Sequence, residues 1–225
     1  PLLQITGSSP DFLGPTHIFS SGVLSVTGSL ENSPMTIDLG GFLKGTGIVG
    51  PLTNSGTVQP GTSIGTLTVN GNLLLNPSST LIIEITPTQG SLLQVLGNAA
   101  LNGNLALASE ISGFYGLGNS YTVLTNTGVQ SGSFSIIPDP NFTITPIYFP
   151  HSVVINTKVE QPFLNFPYEN PNEKSVGENL DALVASGALT PNTPLGQAIN
   201  SLTGFSNAAV NNALDQMHPA TFSAF

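Results

Sequence analysis

The chain has 225 residues, of which 12 are acidic, three are Lys and none is Arg, giving a net charge of −9. Charged residues make up 7% where an ordinary soluble domain carries roughly 25%, so no basic patch exists to neutralise nucleic-acid phosphates. The lack of Cys excludes a disulfide scaffold or a thiolate metal site, and a 39% apolar content, evenly spread, excludes both a disordered chain and a Glu/Lys-rich coiled coil.

The chain opens on Pro1-Leu2-Leu3 with no Met, no basic segment and no apolar stretch long enough to span a membrane. It reads as a piece of a longer protein whose targeting signal lies elsewhere. Residues 1–107 then show short apolar pairs and triplets at period two: Leu24/Val26, Ile37/Leu39, Leu67/Val69, Leu73/Leu75, Leu81/Ile83/Ile85 and Leu105/Leu107. Gly, Asn, Pro or Ser separates them, as between strands. A loose self-similarity recurs at Val26-Thr27-Gly28-Ser29-Leu30, Val69-Asn70-Gly71-Asn72-Leu73 and Leu101-Asn102-Gly103-Asn104-Leu105, at intervals of 43 and 32 residues. Short strands repeating at a loose period predict a solenoid, and a parallel β-helix fits this composition better than a sandwich with its longer, more regular strands.

Residues 108–160 are more aromatic. Tyr121–Leu124, Phe134–Ile137, Phe142–Thr145 and Val153–Ile155 predict antiparallel hairpins that close the exposed strand edges of the last coil. Three prolines between Gln161 and Pro171 mark a boundary. Beyond it, in 161–225, the period turns helical. Val176, Leu180, Leu183 and Val184 follow a capping-box pattern at Ser175 and Glu178; Leu195, Ile199 and Leu202 follow Thr193-Pro194; Val210, Ala213, Leu214 and Met217 follow Ser206. Helices this short must pack on something.

Candidate chemistry is sparse. Gly61-Thr62-Ser63-Ile64-Gly65 fits G-x-S-x-G, but a nucleophile elbow needs a helix after the Ser, and here the strand-like Thr66–Val69 follows. The sequence alone reads it as a turn between coils; the esterase alternative would draw on His151 and His218, which follow Ser63, with Asp139 between. His17, His151 and His218 show no ligand spacing, and Asp38 and Asp139 stand alone, so no metal or cofactor is expected. Glu169, Glu173, Glu178 and Asp181 read as a solvated helix start. Pectin-type cleavage would want clustered Asp with Arg or Lys, and this chain has no Arg and few Asp in the coil region. Tyr115 and Tyr148 are the aromatics that a carbohydrate platform would use.

One long string points to a family. Asn54-Ser55-Gly56-Thr57-Val58-Gln59-Pro60-Gly61-Thr62-Ser63-Ile64-Gly65-Thr66-Leu67-Thr68-Val69-Asn70-Gly71-Asn72 resembles the C-terminal passenger signature of bacterial autotransporters, the type V secretion family. A Glu-bearing strand, Leu81–Ile85 with Glu84, follows it as in that family. The stretch Gly90–Leu105, with Leu93, Val95, Gly97, Leu101, Gly103 and Leu105, is similar to the family's next segment, departing at Gly90 and Ser91, where Ser and Asp are usual. Tyr121–Leu124 and Gly132-Ser133-Phe134 resemble its cap hairpins, and Asn172–Leu183 and Asn212–Pro219 resemble the helices before its translocator barrel.

The resemblance covers roughly 45–225. It implies a right-handed parallel β-helix stem (1–107), a β cap or autochaperone (108–160), and a helical linker (161–225) leading to a barrel outside this chain. It implies Pro60, Gly61, Ser63, Ile64, Gly65, Leu67, Gly71, Leu93, Val95, Gly97, Leu101, Gly103, Leu105, Tyr121 and Phe134 as a structural motif for folding at the cell surface or in secretion. Expected partners are the barrel of the same polypeptide, the outer-membrane assembly machinery, and a host surface or carbohydrate met through an upstream adhesin or virulence region. The expected role is non-enzymatic.

Overall fold

A computed structural model describes residues 1–109, 113–164 and 166–217. The chain winds in successive coils, each laying one short strand on each of three faces. The first coil has β1 (Leu2–Ile5) and β2 (Thr16–Ile18), and the next has β3 (Val23–Val26), β4 (Ser29–Leu30) and β5 (Met35–Ile37). Then come β6 (Phe42–Gly45), β7 (Ile48–Val49) and β8 (Leu52–Asn54), followed by β9 (Thr57–Pro60), β10 (Thr66–Val69) and β11 (Leu73–Leu75). The last coils hold β12 (Thr80–Ile85), β13 (Leu92–Val95) and β14 (Ala99–Leu101), then β15 (Asn104–Ser109), β16 (Ser120–Asn126) and β17 (Gln130–Gly132), with β18 (Ser135–Ile136) beginning a turn that does not finish.

The first face orders β1-β3-β6-β9-β12-β15-β18 and the third β2-β5-β8-β11-β14-β17; every pairing in both is parallel. The second runs β4-β7-β10-β13-β16 in parallel. This is the parallel β-helix that the period-two pairs predict. In-register pairing stacks like on like: Leu24, Leu43, Val58, Leu81 and Leu105 form one inward column, each at most 4% exposed. Burying each such side chain contributes roughly 1.5–3 kcal/mol.

The coil period differs from the one the repeats imply. Partners on the first face fall at Val23, Phe42, Thr57, Thr80, Asn104 and Ser135. The three apolar–polar–Gly–polar–Leu repeats lie at three different corners: Gly28 between β3 and β4, Gly71 between β10 and β11, and Gly103 between β14 and β15. Gly marks a corner because the neighbouring coil approaches too closely there for a side chain. At Gly71, where φ is +135°, an added Cβ would come 2.7 Å from the Pro51 ring. Ile37 is buried as expected, but Leu39 is 68% exposed past the end of β5.

A single hairpin closes the C-terminal end, where several were expected. Tyr121–Leu124 lies in β16, still part of a parallel coil, and β18 remains parallel to β15. Only β19 (Phe142–Phe149) and β20 (Ser152–Val159) turn antiparallel, β20 pairing with β16 and β19 with β20. A register shift between Thr122 and Leu124 lets Val123 and Leu124 both face inward. The outermost strand, β19, carries Pro146 at its middle, and a proline there offers no donor to a further strand.

Three helices follow: α1 (Pro171–Ala185), α2 (Pro194–Asn200) and α3 (Asn207–Met217). Among the described residues no helix is long and apolar enough to cross a membrane. The α1 start lies earlier than expected. Asn170 is the N-cap, accepting from Asn172 N and Glu173 N, and Glu173 answers from N3, leaving Ser175 inside the helix. Pro171 takes the first helical position, where its fixed φ suits and its missing N–H costs nothing. At α2 the cap is Thr193, as expected.

Candidate functional site

The corners between the first and second faces are not alike. They comprise residues 27–28, 46–47, 61–65, 86–91 and, among the described residues, 113–119. They lengthen toward the C-terminus and stack along one edge. The family-like string and the link to the helices both meet this edge, which makes it the candidate site.

The Pro60–Gly65 corner is a turn, as read from sequence. Pro60 is buried at the end of β9; Gly61, at φ +99°, exchanges two backbone hydrogen bonds with Gly45, of 2.7 and 3.0 Å. Ser63 is exposed, Ile64 half-buried, and Gly65 leads directly into β10. No helix follows Ser63, so the nucleophile-elbow geometry is absent. Asp139 lies between β18 and β19, its Oδ1 accepting from Asn141 N and Phe142 N, and His151 sits at the tip of the β19–β20 turn. Ser63 follows β9, three coils before the β18 strand that Asp139 follows, so the three stand apart. His218 and Pro219 lie outside the described residues.

The inward members of the expected motif, Leu67, Leu93, Val95, Leu101 and Leu105, are fully buried in the stem core. Gly97 and Gly71 stack at the same corner of successive coils. Gly90 lies beneath the Tyr121 ring, where a Cβ would come 3.1 Å from it. Phe134, 7% exposed, precedes β18, and its N–H donates to the Tyr148 hydroxyl at 2.8 Å.

The 86–91 corner is gripped from one side. Tyr115 donates its hydroxyl to Ile85 O at 2.9 Å, Tyr121 to Thr86 O at 2.9 Å, and Asn119 its amide to Pro87 O at 3.0 Å. Burial pushes the Tyr121 phenol up to about 12, against the lowering effect of Asn119. Tyr115 also packs edge-on against Phe142. Tyr115 and Tyr148 are both half-buried with their hydroxyls engaged in the cap, so neither offers the exposed face that a sugar platform needs.

The other side of the same segment enters a second core. Phe114 and Leu117 are buried with Phe163, Leu180, Ile199 and Leu214 of the helical region. Leu117 N donates to Asn200 Oδ1 at 2.7 Å, and Gly204 N to Phe114 O at 2.9 Å. Of the acidic cluster, Glu173 is spent on capping and Asp181 on Phe163 N at 3.0 Å. Burial raises the Asp181 pKa against that hydrogen bond, with Glu178 adding to the rise. Tyr168 is pushed up to about 12 by burial and then by Asp181 and Glu178.

Sequence reasoning missed two groupings. One is the 113–121 strap, whose only signal is the lengthening interval between apolar pairs. The other is His17 and Asp38, taken as solitary, whose Nε2 and Oδ1 meet at 2.8 Å because β2 and β5 pair in register. Among the described residues no group of three or more His, Asp or Glu could hold a metal ion.

No family model matches the chain. Over 196 residues it is 29% identical to a protein of Serratia marcescens named an extracellular serine protease; the alignment covers 80% of this chain and 18% of that protein. The chain thus spans less than a fifth of its relative's length. This corrects the expectation of a non-enzymatic role, since the name of the relative is that of an enzyme.

Proposed function

We propose that this chain is the C-terminal stem and folding nucleus of an autotransporter passenger, part of a secreted or surface-held enzyme whose activity, in the whole protein, is serine-protease-type hydrolysis. The observation that carries the folding role is the closed C-terminal end of the solenoid. There β20 pairs antiparallel with β16 and β19 with β20, and Val153 and Ile155 are fully buried. A solenoid grows by stacking each coil on the last, so a closed end serves as the nucleus on which the other coils are laid. On this reading the partners are a translocator barrel in the same polypeptide and the outer-membrane assembly machinery. The family-like string from Asn54 to Asn72 and the likeness to an extracellular protein support it.

The test is deletion within the full-length protein. Removing residues 142–159 is expected to abolish protease-resistant surface display, while removing the first coil, 1–22, leaves it. Equal effects of the two deletions would overturn the folding role. Labelling of the intact protein by a serine-directed phosphonate probe is the expected sign of the activity; no labelling and no peptide hydrolysis would overturn that part.

A further inference from the structure

Residues 113–121 touch two cores in alternation. Phe114 and Leu117 point into the helical core, while Tyr115, Asn119 and Tyr121 fasten the 85–87 carbonyls of the stem. The same strap is sewn to the hairpin: Thr157 N donates to Asn119 O at 2.8 Å and Val159 N to Leu117 O at 3.0 Å. From the helical side, Asn200 and Gly204 hold its backbone. Gly204 also sits close to Thr88, where a Cβ would lie 2.9 Å from the Thr88 methyl. The helical region and the 86–91 corner therefore meet chiefly through this one segment.

We propose that the strap is a conformational clamp through which α1–α3 control the order of the stem's 86–91 corner. With the helices docked, Phe114 and Leu117 are anchored, and Tyr115, Asn119 and Tyr121 are held at the spacing that grips the corner. With the helices released, two apolar anchors lose their core and the grip loosens. Coupling of this kind is reciprocal, so an ordered corner also favours docked helices. The clamp extends the proposed folding role from the hairpin to the helices and rests on that reading for its purpose. The coupling itself is an equilibrium property that stands or falls separately, because its test involves no secretion.

The test is hydrogen exchange on the whole chain. Leu214→Ala removes a fully buried side chain of α3. It is expected to speed exchange of the α1–α3 amides by about tenfold or more, as loss of a buried leucine raises the open population. The corner amides Thr86, Gln89 and Ser91, which bond to Gln89 O, Thr86 Oγ1 and Glu84 O, are expected to speed up by a similar factor. The strand amides of β9 and β10 should not change. Asn200→Ala, which deletes one strap contact without a core cavity, should give a smaller acceleration in the same two segments, and it serves if Leu214→Ala does not fold. Tyr115→Phe should loosen the corner first and the helices with it. Helices that exchange faster while the corner does not would overturn the clamp, and so would acceleration spread evenly over all strands.

Discussion

The C-terminal hairpin and the first coil of this chain bury their apolar residues to different extents. In the hairpin Val153 and Ile155 are fully buried, and Phe142 and Val159 are below 10% exposed. The edges at that end are short, three residues in β17 and two in β18, or interrupted by Pro146, devices that discourage further pairing. In the first coil of this chain Leu2, Leu3, Leu13 and Phe19 are each at least 60% exposed, with a coil packed on one side alone. A register position does not set a residue's worth. Leu3 and Leu24 are direct partners in one column, yet only the one with a neighbour on both sides leaves water.

The largest test of that contrast is a matched pair of truncations. Ile155→Ala should destabilise the protein by about 2–5 kcal/mol, the usual cost of emptying a filled core site. Leu3→Ala should change stability by no more than about 0.5 kcal/mol. Denaturant unfolding of both variants checks this, and equal losses would show that the hairpin is no more a core than the first coil is. Gly61→Ala comes next. At φ +99° the added Cβ would strike the Ser63 carbonyl, and strain of this kind costs on the order of 1–3 kcal/mol. The corresponding change at Gly7, which has open space around it, should be nearly silent.

Tyr121 sharpens the comparison through pH. Burial holds its phenol neutral in the fold up to about 12, above the ordinary tyrosine value of 10.0. The unfolded chain therefore gives up its proton first as pH rises. The stability tied to the neutral phenol is whole below pH 10 and lost between 10 and 12. Tyr121→Phe should lower stability at neutral pH by about 0.5–1.5 kcal/mol, the net value of one hydrogen bond, and should flatten the alkaline fall. An unchanged alkaline slope in the variant would detach Tyr121 from it.

Much of the fold is legible in the sequence because burial on a strand leaves a period of two. Leu81, Ile83 and Ile85 announce β12 and its inward face together. Strands of two residues, β4 and β7, are too short to show any period, so the coil count stays hidden and the glycine repeats mislead. Glycine reports a close backbone approach without saying which corner makes it. At α1 two capping patterns compete, Asn170/Glu173 and Ser175/Glu178, and Pro171 decides between them by starting the helix. The strap is invisible for a different reason: Tyr115, Asn119 and Tyr121 bind backbone carbonyls about 30 residues away, and a carbonyl acceptor leaves no mark on sequence. The non-enzymatic expectation came from the likeness to a passenger's stem region together with motifs that were missing, and neither carries much weight in a chain matching 18% of a relative named as an enzyme.

His17 and Asp38 mark the weakest joint in the comparison. At the capped end, neighbouring segments are fastened by tyrosine hydroxyls donating to backbone carbonyls beside a covered core. In the first coils, the first two full-face strands of the third sheet are joined at the surface by an imidazole and a carboxylate, each 43% exposed, with Phe19 stacked on the ring at 4.3 Å. Water and salt compete directly for such a pair, and side-chain ordering offsets much of the attraction, so its net worth is about 0–1 kcal/mol. His17→Ala should thus move the unfolding midpoint less than Ile155→Ala or Gly61→Ala, and His17→Ala combined with Asp38→Ala should move it no further than the larger single change. A double-mutant coupling well above about 1 kcal/mol would mean that the first coils are held by more than their exposure implies.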